Sequence, residues 1–225
     1  MRYIVPAAAV AAALTVGASV APAASHNHQG HRDQQEKRDK RPERAKSHVA
    51  LHLSNHDLLA GNGIKVSGKV RPGGRHRVRV VFDGPESGHR GVATRANGTF
   101  ALRWVPKATG SYRVRAYGIH DRHTRGSASE QRHLTSYRLA GASWYGPGLW
   151  GNGVACGGTL LPGTLGVANK TLPCGTKVRL RYHGHELTVP VIDRGPYVAG
   201  REFDLTYAVK QKLGFPGVGT VMASR

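Results

Sequence analysis

Acidic side chains are scarce in this chain of 225 residues: 13 Asp and Glu stand against 33 Lys and Arg, for a formal net charge of +20. The shortage is sharpest towards the C-terminus, where residues 137 to 225 contain Glu186, Asp193, Glu202 and Asp204 and no other carboxylate side chain. Any carboxylate chemistry there has to come from these four. Cysteine is scarcer still, with Cys156 and Cys174 alone. Helical periodicity is missing from the middle of the chain, which excludes a bundle and leaves short alternating runs to be explained.

The one long apolar stretch lies at the start. Arg2 is followed by an Ala- and Val-rich run from Tyr3 to Val20, and small residues at Ala21 and Ala23 suit a signal peptidase. Residues 1–23 therefore read as a secretory signal. A retained membrane anchor is the alternative, against which Pro6 and Gly17 interrupt the run. Neither cysteine sits near the cleavage point, so no lipid anchor is expected, and no transmembrane anchor remains after cleavage. The expected location is secreted or within the cell wall. In an oxidising compartment, two cysteines eighteen positions apart read as one intradomain disulfide; a thiol nucleophile or metal pair is the sharper alternative. The positive charge would point to nucleic acid inside a cell. Export removes that partner and substitutes anionic wall polymers, held through the basic tail without base-specific contacts, with plain solubility as the bland reading.

Residues 24–47 contain almost nothing apolar and mix both signs of charge, so they form an expected disordered basic linker. His26, His28 and His31 within it read as a solvated spacer before a metal site. Residues 48–136 alternate in short runs such as "IKVSGKV", "HRVRVVFDG" and "GSYRVRAYG", broken by Pro72-Gly73-Gly74, Asn97-Gly98 and Thr109-Gly110. That pattern predicts an antiparallel sandwich of immunoglobulin-like type. The polar segment Gly118 to His133 is expected to include the connection to a second domain, with the boundary near Ser136. Residues 137–225 are Gly-rich with strand-like runs at Tyr137 to Tyr145, Lys177 to Tyr182 and Leu187 to Ile192, and a single helix over Tyr207 to Leu213. The fold class expected is all-β, a sandwich followed by a small barrel.

Among the four carboxylates, Glu186 lies beside a hairpin turn "HGHE" and reads as solvated surface. Asp193 ends the apolar strand "LTVPVI", where it is either a functional group or a turn initiator. Glu202 and Asp204 are two apart and share one face of an extended segment, with Phe203 and Leu205 on the other. Arg194 and Arg201 are candidate partners, which keeps a structural ion-pair cluster in view. Trp144 and Tyr145 could stack on a sugar or pack in a core.

Five stretches carry a family resemblance: "ASWYGPG" at Ala142 to Gly148, "VACGG" at Val154 to Gly158, "NKTLPCGTKVRL" at Asn169 to Leu180, "VIDRGPYVAGREFDLTYAVKQKLG" at Val191 to Gly214, and the closing "GVGTVMA". In this order they resemble the six-stranded double-psi β-barrel of the rare lipoprotein A family, a fold shared with expansins, barwin-like proteins and family 45 endoglucanases. The resemblance implies action on peptidoglycan or another wall glycan, in active members as a lytic transglycosylase that leaves a 1,6-anhydro end. It implies Asp193 as the catalytic Asp and Asp204 as its companion. Trp144, Tyr145, Asn169, Arg194 and Tyr197 complete the candidate glycan-contacting set. Two departures stand out: Gly158 occupies the place of a catalytic Glu, and Asn169 that of a common His. No cofactor or metal is expected. The readings carried forward are a transglycosylase, and a noncatalytic glycan-binding or expansin-like module.

Overall fold

The computed structural model describes residues 45–119 and 124–225. The expected signal at residues 1–23, the three tail histidines and nearly all of the linker lie outside the described residues. The linker expectation ends too late, because Ala45–Lys46 (β1) pairs in parallel with Thr124–Arg125 (β9), and the Ser47 hydroxyl donates to the Arg125 carbonyl.

Strand alternation builds the first layers. His48–Leu53 (β2), Ile64–Arg71 (β4) and Thr99–Trp104 (β7) form a three-stranded antiparallel sheet. Gly88–Ala93 (β6), Arg77–Asp83 (β5), Gly110–Gly118 (β8) and the first half of Arg132–Tyr145 (β10) form the other, with Asp57–Leu59 (β3) parallel to β10. In β2, β4, β5, β7 and β8 every second residue turns inward, as pleating requires, while the edge strand β6 stays almost wholly exposed. Leu51, Leu53, Val66, Val78, Val80, Phe82, Tyr112 and Val114 bury themselves in one apolar core between the two sheets. Phe82 stacks on Trp104 with ring centroids 4.1 Å apart, and Tyr112 meets the same ring edge-on at 5.0 Å.

The second half of β10 joins Val167–Ala168 (β11), Lys177–Tyr182 (β12), His185–Asp193 (β13), Phe203–Thr206 (β14) and Gly219–Ser224 (β15). Their order is β14-β11-β13-β12-β15-β10, and β10 also pairs with β14, so these six strands close on themselves. Two of the pairings are parallel, β10 with β14 and β11 with β13; the rest are antiparallel. The interior holds Ala142, Val178, Leu180, Val189, Val191, Phe203, Leu205 and Val221, capped by Val209 and Leu213 from the helix Tyr207–Leu213 (α1). Gly214 ends α1 in the left-handed conformation at φ 65°, where a Cβ would be strained. Tyr182 registers with His185 across a two-residue loop, His183 and Gly184, both at positive φ. This is the primed hairpin turn that strand twist favours.

No flexible connector interrupts the two regions at β10. Ser136 is its last residue registered against β8, and Arg138 is its first registered against β15. Side chains lock the crossing. The Tyr137 hydroxyl donates to Glu186 at 2.6 Å, Arg179 donates to the Thr135 hydroxyl at 2.9 Å, and Arg181 pairs with Asp57 at 3.3 Å. Glu186 is thus no freely solvated surface carboxylate. It is exposed yet engaged by both Arg179 and Arg181, where the hairpin β12–β13 meets the sandwich.

Candidate active site

Parallel pairing brings sequence-distant residues to one level of the barrel. Ser143 registers with Asp204, Asp204 with Ala168, and Ala168 with Asp193, a row across four neighbouring strands. Phe203 and Leu205 occupy the interior on either side of Asp204, so alternation turns Asp204 outward with Ser143. Asp193 reaches that row by a register shift. Val167 faces Val191, but the next residue, Ala168, faces Asp193, two positions further on. Such irregularities re-aim a side chain at the end of a strand. Ala168 between the two aspartates has only a methyl group, which leaves a gap between carboxylates whose backbones lie about 10 Å apart, two strand spacings.

The two aspartates are held differently. Asp193 Oδ1 accepts the backbone N–H of Ala155 at 2.9 Å and of Arg194 at 2.8 Å. Its second oxygen is the one it can present to a ligand. The contact with Arg194 is the local turn bond expected of an Asp at a strand end; the one with Ala155 reaches across 38 positions and belongs to the tertiary fold. Asp204 accepts from the Ser143 hydroxyl at 2.8 Å. Burial pushes the Asp204 carboxyl above its ordinary range and the charge of Asp193 adds to this, while the Ser143 bond and the charge of Arg201 pull it back. Asp204 therefore keeps its proton to higher pH than a free aspartic acid.

Tyr145 lies two residues beyond Ser143 and so faces the same side. Its hydroxyl is buried and makes no hydrogen bond of ordinary geometry. Burial, then the charges of Asp193 and Asp204, push it well above the usual tyrosine range. It is a neutral hydroxyl donor beside both carboxylates. Trp144 alternates to the other side, against the barrel interior and α1. Its ring lies 5.9 Å from that of Tyr207, with Lys210 Nζ 4.5 Å from its centroid. Of this aromatic pair, Tyr145 alone joins the aspartates.

The remaining candidates separate likewise. Asn169 is 4% exposed; its side chain accepts from the N–H groups of Thr171 and Leu172 and donates to the Glu202 carbonyl. It shapes a loop. Arg194 donates to the carbonyls of Asn169 and Leu172 and touches Cys174 Sγ at 3.1 Å, so it braces the same loop. Tyr197 is 80% exposed and free to contact a large ligand. Glu202 pairs with Arg138 on β10, not with Arg194 or Arg201. The sequence reading missed Ser143, whose only signal is its place two positions before Tyr145.

Cys156 and Cys174 form a disulfide. The bond ties the loop that contributes the Ala155 amide to the loop shaped by Asn169, and the Cys156 N–H donates to the Ile192 carbonyl at 3.0 Å. Both flanks of Asp193 are thereby fixed. Gly158 lies in this loop at φ 91°, with nothing within 4 Å of where a Cβ would sit.

A closed six-stranded barrel with two interlocked parallel pairings is the double-psi β-barrel, here with an aspartate pair at its rim. Comparison with known proteins agrees. The family model described as lytic transglycolase matches residues 139–223. The endolytic peptidoglycan transglycosylase RlpA of Pseudomonas aeruginosa is 40% identical over 88 residues, 38% of this chain and 26% of that protein. The protein of the same name from Campylobacter jejuni is 40% identical over 81 residues, 35% of this chain and 30% of its own length. That of Neisseria meningitidis serogroup A is 32% identical over 131 residues, 47% of this chain and 55% of its own. The matches thus span from about a quarter to about half of these relatives' length. Residues 139–223 form an RlpA-like double-psi β-barrel.

Proposed function

We propose that the barrel cleaves the glycan strand of peptidoglycan by nonhydrolytic transglycosylation, with Asp193 and Asp204 dividing the proton transfers. Asp204, in its protonated form, gives its proton to the glycosidic oxygen as the C1–O bond breaks. Asp193 accepts the proton of the sugar's own C6 hydroxyl, whose oxygen closes on C1 to give the 1,6-anhydro end. The proton taken up by Asp193 returns to Asp204 through solvent, so the pair ends as it began. General acid–base help of this kind contributes about 10²–10⁴-fold each. Because the nucleophile comes from the substrate, the carboxyl separations of ordinary glycosidases do not apply. The observation that carries the reading is the placement of Asp204, with its raised affinity for a proton, across Ala168 from Asp193. The relatives named as peptidoglycan transglycosylases support the choice of substrate. Action on this polymer puts the protein outside the cytoplasm.

A second reading is a noncatalytic grip on the same glycan, and Gly158 favours it because it stands where the resemblance puts a catalytic Glu. The two separate on purified sacculi. The full chain is expected to lower their turbidity, and Asp193→Asn to sediment with them unchanged while clearing nothing. Retention of the wild type without clearing would select the grip, and no retention at all would refute both.

A further inference from the structure

The outer face of the sandwich sheet β6-β5-β8-β10 has a chemistry unrelated to the aspartates. Alternation buries Val78, Val80 and Phe82 of β5 and Tyr112, Val114 and Ala116 of β8, so Arg79, Val81 and Asp83 and then Arg113, Arg115 and Tyr117 all face outward. Register sets them beside one another: Asp83 against Arg113, Val81 against Arg115, and Arg79 against Tyr117. On the other flank, Arg79 faces Gly91, where there is no side chain to fill the space. The result is a groove of about 620 Å³.

Three arginines line it against one carboxylate, and that carboxylate is already taken. Arg113 donates to Asp83 from Nε at 3.0 Å and Nη2 at 2.5 Å. Arg79 and Arg115 make no ion pair among the described residues. Arg115 goes further: its Nε is buried and has no hydrogen-bond partner. A desolvated donor without an acceptor is unfavourable in the free protein, and the rest of this guanidinium lines the groove, where an anion would give it acceptors. Arg79 and Arg115 are diagonal neighbours across the ladder, about 7–8 Å apart at the backbone, close enough for both guanidinium forks to grip one anion. A carboxylate displays its acceptors in one plane, where two forks crowd each other. A phosphodiester offers two charged oxygens and two ester oxygens, so forks can approach from two sides. Tyr117, 39% exposed and opposite Arg79, supplies an amphipathic wall for the uncharged part of a repeat. The groove is far larger than one phosphate.

We infer that this groove is a binding site for a polyol-phosphate polymer, a chain of alcohol units joined by phosphodiesters, gripped by Arg79 and Arg115. The site is independent of glycan cleavage. It would hold the barrel near wall material bearing such polymers.

The test uses the full chain and poly(glycerol phosphate) as the probe. Arg79→Ser with Arg115→Ser is expected to weaken binding at least about tenfold. Lys65→Ser with Lys69→Ser, exposed on the opposite sheet, removes the same charge and should weaken it less than about twofold. Arg115→Lys keeps charge and volume but loses the fork and Nε, and should weaken binding at least about threefold. Equal losses in the two double variants would reduce the effect to net charge and overturn the site. So would polyglutamate or single-stranded DNA binding as tightly as poly(glycerol phosphate) at matched charge. Asp193→Asn should leave polymer binding unchanged, and the groove variants should leave cleavage of phosphate-free peptidoglycan unchanged, so a failure of this inference is separable from a failure of the proposed function.

Discussion

The sandwich and the barrel obey the same alternation, yet one yields a charged face and the other a reaction site. In the sandwich most neighbouring strands run antiparallel, and its outer face gathers arginines two apart along a strand, Arg77 and Arg79 on β5 and Arg113 and Arg115 on β8. In the barrel, parallel pairing splices Ser143, Asp204, Ala168 and Asp193 into one row. The register shift at Val167 and Ala168 then turns the last of them to face the others. Chemistry that needs two unlike groups arises where topology joins segments remote in sequence. Chemistry that needs only charge can be written along a single strand.

The sharpest way to break this contrast is to remove one member of the row. Asp193→Asn is expected to lower the rate of glycan cleavage by about 10²–10⁴-fold, read as soluble fragments released per hour, while a thermal melt stays close to wild type. A similar loss from Arg79→Ser would erase the distinction between the regions.

Next in size is the disulfide, which exists only in the barrel. In the chain-entropy view a loop of this length contributes about 3 kcal/mol. Cys156→Ser with Cys174→Ser should therefore lower the denaturant midpoint, and cleavage should fall as well because the Ala155 amide loses its hold on Asp193. An unchanged midpoint would mean that the barrel's own core fixes these loops.

A smaller effect sharpens the role of the proton. The Ser143 hydroxyl lowers the affinity of Asp204 for its proton, so Ser143→Ala raises it further. If protonated Asp204 is the active form, activity falls as pH rises through its value, and the alkaline limb of the pH–rate profile should move to higher pH in Ser143→Ala. A shift to lower pH would contradict the assignment.

The smallest effect is on stability. Because the folded state raises the Asp204 pKa, the native protein binds the extra proton. Its contribution is fully present below the unfolded value of 3.8 and is lost as pH rises through the folded value. Asp204→Asn should flatten this dependence and raise the melting temperature near neutrality, by no more than about 2 °C.

Much of this could be read from the chain. The alternating runs gave their strands because each buries one face, and α1 has the Tyr207 to Leu213 bounds that Gly214 and Pro216 signal. The scarcity of acidic residues narrowed the candidates to four carboxylates, and the family resemblance pointed among them to Asp193 and Asp204. What could not be read were the pairings. Asp204 finds Ser143 across 61 positions, a separation that no local pattern encodes. Asn169 and Arg194 lie in motifs that suggest a ligand, but both are engaged with the backbone of the loop from Asn169 to Leu172. Glu186 sits beside a hairpin tip that looks solvated, and only the continuity of β10 through both regions brings Tyr137 to it.

The central claim is that the aspartate row cuts the glycan strand through the sugar's own hydroxyl. Mass spectrometry of soluble products from purified peptidoglycan incubated with the full chain tests it directly. The wild type is predicted to release fragments with 1,6-anhydro ends, and Asp193→Asn and Asp204→Asn are predicted to release essentially none. Fragments with ordinary reducing ends, or anhydro fragments at undiminished yield from the Asp193→Asn protein, would contradict it.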